Sequence, residues 1–195
     1  MKMTENKCDA CGKVFDSKEF LMEHAKMHMG NAKKGLSARK VVMSSIIGGI
    51  IGGILMLMIL MAGAAGMGLS PTTFALVMGM GLGASMGSAV MIGVLGHFIV
   101  GIVAGAIFGA IVSYAKPLKL KNGQRSLMLG LVFGIVLYVV FFLPMAMTVF
   151  ASVMLSMMGA KAAMMLPDVL VIGFIGHILY GIALGATGFY VSRKL

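Results

Sequence analysis

The sequence predicts an all-α membrane protein, in which a bundle of four transmembrane helices is built from two duplicated helical hairpins and follows a small polar head. Composition is the first observation: 59% of the 195 residues are hydrophobic and only 11% are charged, whereas soluble domains are about a quarter charged. Charge placement is the second, because residues 1–40 hold nine of the sixteen Lys and Arg and five of the six Asp and Glu. The third is a set of four long apolar segments, two of which repeat each other.

The polar head contains a spacing of cysteines and histidines that is typical of a zinc site. Cys8, Cys11, His24 and His28 follow the pattern C-x2-C-x12-H-x3-H, which suits a tetrahedral ion with two thiolate and two imidazole ligands. These are the only two cysteines, and their spacing indicates a metal or redox pair rather than a disulfide framework. A redox pair would leave both histidines unexplained, so we expect residues 1–30 to bind one zinc ion.

Phe15 and Leu21 extend this pattern, because they stand where zinc fingers with two cysteine and two histidine ligands place their small core. Residues 6–28 therefore resemble that zinc finger family. The resemblance implies a ββα fold, with both cysteines on a hairpin and both histidines one turn apart on a helix over residues 17–29. A domain of this size cannot bury a sufficient core, so zinc binding would supply its folding free energy.

The same resemblance identifies the helix positions that contact bases in DNA-binding fingers as Ser17, Phe20 and Glu23. None of them is the arginine that reads guanine. Residues 1–30 contain five lysines and five acids, and thus lack the positive charge that binds phosphates. The head is therefore expected to contact a protein partner rather than DNA.

Four apolar segments follow a basic linker at residues 31–40, which would lie near anionic lipid headgroups. Each segment runs without Lys, Arg, Asp or Glu over more than the stretch of about twenty residues that a membrane-spanning helix needs. The predicted segments cover residues 41–66, 91–115, 127–150 and 169–192.

The distribution of Lys and Arg predicts the orientation of these segments. Basic residues concentrate in the linker, in the loop 116–126 and in the C-terminal tail, whereas the other two loops contain only Lys161. With four spans, all basic stretches lie on one side, so both termini and the head are expected in the cytoplasm of a multi-pass cell-membrane protein. The apolar loops 70–90 and 151–166 are predicted to be interfacial or re-entrant helices, with two additional spans as the disfavoured alternative.

An internal repeat divides the body into residues 41–115 and 127–195. When Gly93 is aligned with Gly173, four glycines and a histidine of the second segment coincide with those of the fourth. A weaker match, offset by two further positions, aligns Gly48 and Gly52 with Gly130 and Gly134. Glycines at every fourth position line one helix face and allow close helix packing, which predicts seams at Gly101, Gly105, Gly109, Gly181 and Gly185.

The repeated histidines are His97 and His177, which share a helix face with these glycines and are expected a turn or two inside the non-cytoplasmic end. An ionisable side chain within a membrane segment is a functional hypothesis. Facing imidazoles could ligate haem or copper, or relay protons, whereas the structural alternative is a hydrogen bond from each histidine to a neighbouring helix. The 22 methionines, which include a cluster in the first segment (Met56, Met58 and Met61) and a pair in the third (Met145 and Met147), could add thioether ligands for Cu(I), although methionine is more often a packing residue.

These observations favour an adaptor or accessory subunit of a larger membrane complex, in which the head recruits a cytoplasmic protein. The sequence predicts no catalytic residue. The alternatives are a haem- or copper-linked protein using His97 and His177, a small transporter, and a membrane-tethered nucleic-acid binder. The body also resembles, in general terms, small polytopic prokaryotic membrane proteins with a repeated Gly-His helix, and this resemblance implies no activity.

Overall fold

The computed structural model describes residues 6–8, 11–32, 37–115, 118, 120 and 122–194, with the side chains of residues 27–32 excepted. The chain divides into two compact units, Met1–Ser37 and Ala38–Leu195. This division falls inside the predicted basic linker and separates the polar head from the apolar body.

The head has the ββα order that the zinc-finger resemblance implies. Strands β1 (Asn6–Lys7) and β2 (Val14–Phe15) pair antiparallel, and helix α1 (Lys18–Ala32) follows. The turn between the strands requires Gly12, whose φ of +76° lies in the left-handed region. The helix begins at Lys18 rather than residue 17, because Ser17 caps it: the Ser17 Oγ accepts a hydrogen bond from the Phe20 N–H at 3.3 Å.

Within the part of the chain that the structure describes, four helices are long and apolar enough to cross a membrane, as predicted. The first is α2 (Ala38–Gly66), and a short helix, α3 (Thr73–Gly81), separates it from the second, α4 (Met86–Tyr114). The third spans Gly123–Met158, and the fourth is α8 (Lys161–Tyr190).

The third span changes its helical geometry in the middle. Helix α5 (Gly123–Leu137) continues into two π-helical segments that flank the short α6 (Leu143–Met145), and α7 (Ala151–Met158) completes the span. Pro144 lies in α6 and lacks the N–H that would continue the α-helical ladder. The helical geometry is therefore irregular around Pro144, although the helix does not end there.

The two apolar loops differ from each other. The region 70–90 contains α3, which packs against α4: a Cβ added at Gly93 would collide with the carbonyl of Ala75. The region 151–166 holds no separate helix, because it is divided between the end of the third span and the first turns of α8. Gly159, with a φ of +59°, separates these two helices. The Ala and Met residues on both sides of it favour helical structure.

The glycine faces form the predicted seams between antiparallel helices. In the first hairpin, a Cβ added at Gly105 would lie 2.5 Å from the carbonyl oxygen of Ser45. In the second, a Cβ at Gly185 would lie 2.5 Å from the carbonyl oxygen of Ser126. Such approaches leave no room for a side chain at Gly105, Gly109, Gly181 and Gly185. The contact at Gly101 is less close, because a Cβ there would lie 3.1 Å from the carbonyl oxygen of Gly49.

These contacts also correct the weaker part of the repeat. Ser45 faces Gly105 and Ser126 faces Gly185, so Ser45 and Ser126 are equivalent in the first helices of the two hairpins. Gly130 therefore corresponds to Gly49 rather than to Gly48, one position away from the predicted alignment. The adjacent pairs Gly48–Gly49 and Gly52–Gly53 made both alignments possible in the sequence, and only the helix contacts distinguish them.

Antiparallel packing of both hairpins brings the helix ends with basic residues to the same end of the body. Helices α2 and α5 begin there, and α4 and α8 end there. Among the described residues, Lys161 and Asp168 belong to the beginning of α8, at the opposite end. The basic residues that the structure describes at the shared end are Arg39, Lys40, Arg125, Arg193 and Lys194.

Candidate metal centre and membrane cavity

The head brings three of the four predicted zinc ligands together. One ligand atom from each of Cys8, Cys11 and His24 lies within 4.8 Å of the other two, and the Cys11 Sγ is 3.1 Å from the His24 Nε2. Ligand atoms around a tetrahedral zinc ion are roughly 3.5 Å apart, given the usual metal–ligand distances. The group can therefore hold a metal ion.

Short local contacts position these ligands. The Cys8 N–H donates to the Lys13 carbonyl, and the Gly12 N–H donates to the Cys8 carbonyl, both at 2.7 Å. The ring of Phe15, at the predicted core position, lies 4.6 Å from the ring of His24. The hairpin therefore presents both thiols to the imidazole on α1.

His28, the predicted fourth ligand, follows His24 by one helical turn on α1, and its side chain lies outside the described residues. An i to i+4 spacing places two residues on the same helix face. A ligand role for His28 accordingly stays a prediction.

The exposed surface of the head includes apolar side chains, and one of them, Phe20, lies on the helix face that would contact DNA, between the polar Ser17 and Glu23. Phe20, at the centre of that helix face, is 65% exposed. Val14 and Met22 are also exposed. Exposed apolar side chains suit contact with another apolar surface and offer no hydrogen bonds to base edges.

His97 and His177 line one cavity of about 510 Å³ in the membrane body. The cavity lies among α2, α3, α4, the third span and α8. Both histidines are deeper than expected: the helical rise places His97 about 17 Å from the start of α4 and His177 about 24 Å from the start of α8. The reason is that α4 and α8 begin earlier than the apolar segments suggested.

The two histidines make different hydrogen bonds. The His97 Nε2 lies 3.0 Å from the carbonyl oxygen of Gly53 on α2, which is the bond to a neighbouring helix that the structural alternative expected. The His177 Nδ1 lies 2.7 Å from the carbonyl oxygen of Gly173 in its own helix. The ring of His177 also lies 5.7 Å from that of Tyr138 and 5.1 Å from that of Phe142.

The cavity arises from an asymmetry between the two hairpins. Helix α2 packs closely against α8, but the equivalent pair, α4 and α5, is loosely packed and has a ring contact between Phe108 and Phe133. Tyr180 of α8 lies against α2 and α4, and its hydroxyl donates to the Gly101 carbonyl at 2.5 Å. Val100 holds the equivalent position on α4, is 60% exposed and lines the cavity. Because the valine is smaller than the tyrosine at the equivalent position, part of the cavity remains unfilled.

Sequence reasoning missed Tyr180 as part of this site. Its position was visible in the repeat, because a tyrosine in one copy stands opposite Val100 in the other. The Tyr180 hydroxyl makes this position polar in one copy of the repeat and apolar in the other. Its role depends on the hydrogen bond to the Gly101 carbonyl, and only the packing of the helices brings these two groups together.

Three methionines line the cavity with the histidines: Met56, Met78 and Met145. Other methionines have separate surroundings, since Met58 and Met147 are exposed on the helix surface. Imidazoles and thioethers are suitable copper ligands. Haem would bring two carboxylates, and no Lys or Arg lines this cavity among the residues that the structure describes.

Comparison of this chain with protein-family models, with curated proteins and with solved structures finds no match. The class of protein therefore rests on its own structure. The described residues form a body with four helices able to cross a membrane and a head with a Cys-Cys-His group able to bind a metal ion.

Proposed function

We propose that this chain is a membrane-anchored adaptor, or an accessory subunit of a membrane complex, whose zinc-stabilised head contacts a cytoplasmic protein. The observation that carries the proposal is the convergence of Cys8, Cys11 and His24 on one point. A metal centre would stabilise the fold of this small unit. Because the unit is joined to four apolar helices, its surface would be kept close to a membrane.

Zinc is the ion that this ligand set favours. Thiolate and imidazole ligands at this spacing match structural zinc sites, and closed sites of this kind stabilise a fold rather than carry out a reaction. The cytoplasm keeps thiols reduced and available for zinc. The placement of Lys and Arg supports the cytoplasmic side for this end of the body.

The exposed surface of the head supports a protein as its partner. Val14, Phe20 and Met22 present apolar side chains, and the balance of five lysines and five acids in residues 1–30 provides no excess of positive charge. Anionic lipid headgroups are the second expected contact. Arg39, Lys40 and their basic neighbours at that end of the body would attract such lipids at about 1 kcal/mol each.

The metal centre is tested first, on the full chain in detergent or nanodiscs. Cys8→Ser and His24→Ala should each abolish stoichiometric zinc binding, because a site with fewer ligands cannot stabilise the head. Elemental analysis and cobalt absorption measure the loss, and the helical content of the body should not change. Glu23→Ala, beside His24, is the matched control. Zinc retained in both ligand variants would refute the assignment.

The partner is tested by cross-linking in native membranes followed by purification. Phe20→Glu should lose the proteins that the wild-type chain retains while keeping its zinc, because the substitution places a charge in the apolar contact. Lys26→Ala, on the same helix, should retain both. The proposal fails if the same proteins are recovered with Phe20→Glu, or if the zinc-loaded chain binds DNA duplexes with the steep salt dependence of phosphate contacts.

A further inference from the structure

The described lining of the cavity in the membrane body presents hydrogen-bond acceptors and no free side-chain donor. Four polar side chains line it among the described residues: His97, Thr148, His177 and Tyr180. Each of them is bonded to a backbone carbonyl, with Thr148 donating to Pro144 at 2.7 Å. A carbonyl oxygen can only accept, so each side chain contributes the hydrogen of its bond.

The bonded nitrogen of each imidazole determines the state of the other nitrogen. In neutral imidazole one nitrogen carries hydrogen and the other carries a lone pair. The bonds to Gly53 and Gly173 therefore leave lone pairs on the His97 Nδ1 and the His177 Nε2. Neither atom makes another hydrogen bond in the described structure. No acidic side chain among the described residues lines the cavity, so a charged imidazole would lack a counter-charge.

The rest of the cavity is apolar and opens toward the outer surface of the helices. Its lining includes Val100, Val140 and Phe141 of the membrane-spanning helices and Leu82 at the end of α3, and each is at least 55% exposed. Exposed apolar side chains on membrane-spanning helices face lipid, because the hydrocarbon region offers no water. A ligand can therefore enter from the bilayer.

The volume distinguishes an organic ligand from a bare ion. A cavity of about 510 Å³ lies within the range of roughly 300–1,000 Å³ that holds small organic ligands. A single copper ion would fill only a small part of such a space.

We propose that this cavity binds a neutral, mainly apolar, membrane-soluble molecule that carries hydrogen-bond donors such as phenolic hydroxyls. His97 Nδ1 and His177 Nε2 accept those hydrogens, and the methionine, leucine and phenylalanine side chains surround the apolar part. The site is independent of the metal centre in the head, so either assignment can fail without the other.

A pair of compounds with the same hexylbenzene skeleton, one with hydrogen-bond donors and one without, tests this site. The probes are 4-hexylresorcinol, with two phenolic hydroxyls, and its dimethyl ether, with none. Binding to the full chain in lipid nanodiscs is measured by equilibrium dialysis and corrected with empty nanodiscs. The wild-type chain should bind the resorcinol at least about fivefold more tightly than the ether, because two hydrogen bonds separate them.

Three variants locate the binding. His97→Ala and His177→Ala should each reduce the preference for the resorcinol and leave binding of the ether within about twofold. Val100→Phe should weaken both compounds at least about fivefold, because it places a ring in the cavity. Because Val100 is exposed, this substitution should not disturb folding, so a loss of binding can be attributed to the filled cavity. Ile99→Phe, on the neighbouring exposed position outside the cavity, should bind as the wild-type chain does.

Equal binding of the two compounds to the wild-type chain would overturn the proposal and indicate nonspecific apolar filling, for example by lipid. Absence of binding by either compound would also overturn it. Stoichiometric Cu(I) binding that depends on His97 and His177 and displaces the resorcinol would assign the cavity to a metal instead.

Discussion

Ser45 and Ser126 occupy equivalent places in the repeat, yet their hydroxyls are in different hydrogen-bonding states. Both side chains are completely buried. The Ser126 Oγ donates to the Gly185 carbonyl at 2.6 Å, whereas the Ser45 Oγ has no hydrogen-bond partner among the described residues. The two hairpins carry the same residue at this place, and small differences in helix packing decide which hydroxyl has a partner.

Ser126→Ala should lower the free energy of unfolding by about 0.5–1.5 kcal/mol, because it removes a hydrogen bond. Ser45→Ala should leave it unchanged or raise it by up to about 1 kcal/mol, because the variant no longer buries an unpaired hydroxyl. Unfolding in mixed micelles with increasing SDS, followed by circular dichroism, compares the two. An equal loss in both variants would contradict the hydrogen-bond assignment.

At the scale of elements, close backbone contacts define the helix pairs. Lipid tails are as apolar as the helices, so helix association in a membrane depends on packing and hydrogen bonds rather than on the hydrophobic effect. The glycine faces of α4 and α8 bring these helices against α2 and α5 at the same relative places in both hairpins. The hairpin is therefore the unit that packs in both halves of the body.

Gly105→Ala tests the seam, and Gly87→Ala on the same helix is its control. A Cβ at Gly105 would lie 2.5 Å from the Ser45 carbonyl oxygen and 3.2 Å from the Gly49 Cα, whereas a Cβ at Gly87 would have open space. We expect Gly105→Ala to cost about 1–3 kcal/mol, because α2 and α4 must separate. Gly87→Ala should cost nothing measurable. The SDS titration measures both, and equal stability would mean that the seam is looser than described.

At the scale of the whole chain, the two hairpins share one orientation, and the packing between them is asymmetric. Helices α2 and α8 close one side, whereas α4 and α5 leave the cavity on the other. The shared orientation of the hairpins also brings the helix ends with Arg39, Arg125 and Arg193 to one end of the body. Because cytoplasmic segments of membrane proteins carry an excess of Lys and Arg, we expect this end of the body to face the cytoplasm.

Cysteine labelling of intact cells tests this orientation, on a background with Cys8→Ser and Cys11→Ser. Ser156→Cys, exposed near the end of the third span, should react with a membrane-impermeant maleimide added outside. Gln124→Cys, near the start of α5, should react only after permeabilisation. The reverse pattern would place the head outside the cell and remove the basis for a cytoplasmic partner.

Local patterns were sufficient for the four spans, the ββα head and the glycine seams. Each of these depends on residues close in the chain: a run without charge, a ligand spacing or a glycine at every fourth position. The limits of the helices were less predictable, because α4 begins at Met86 rather than at residue 91, and α8 begins at Lys161 although Pro167 and Asp168 precede the apolar segment. Charge was a poor marker of where those helices begin.

Contacts between distant residues decided the rest. The repeat predicted equal roles for His97 and His177, but one imidazole bonds to Gly53 of another helix and the other to Gly173 of its own. The cavity that they share depends on Val100 standing where the second hairpin has Tyr180. The effect of this difference between Val100 and Tyr180 could not be predicted from either hairpin alone, because side chains from both hairpins line the cavity.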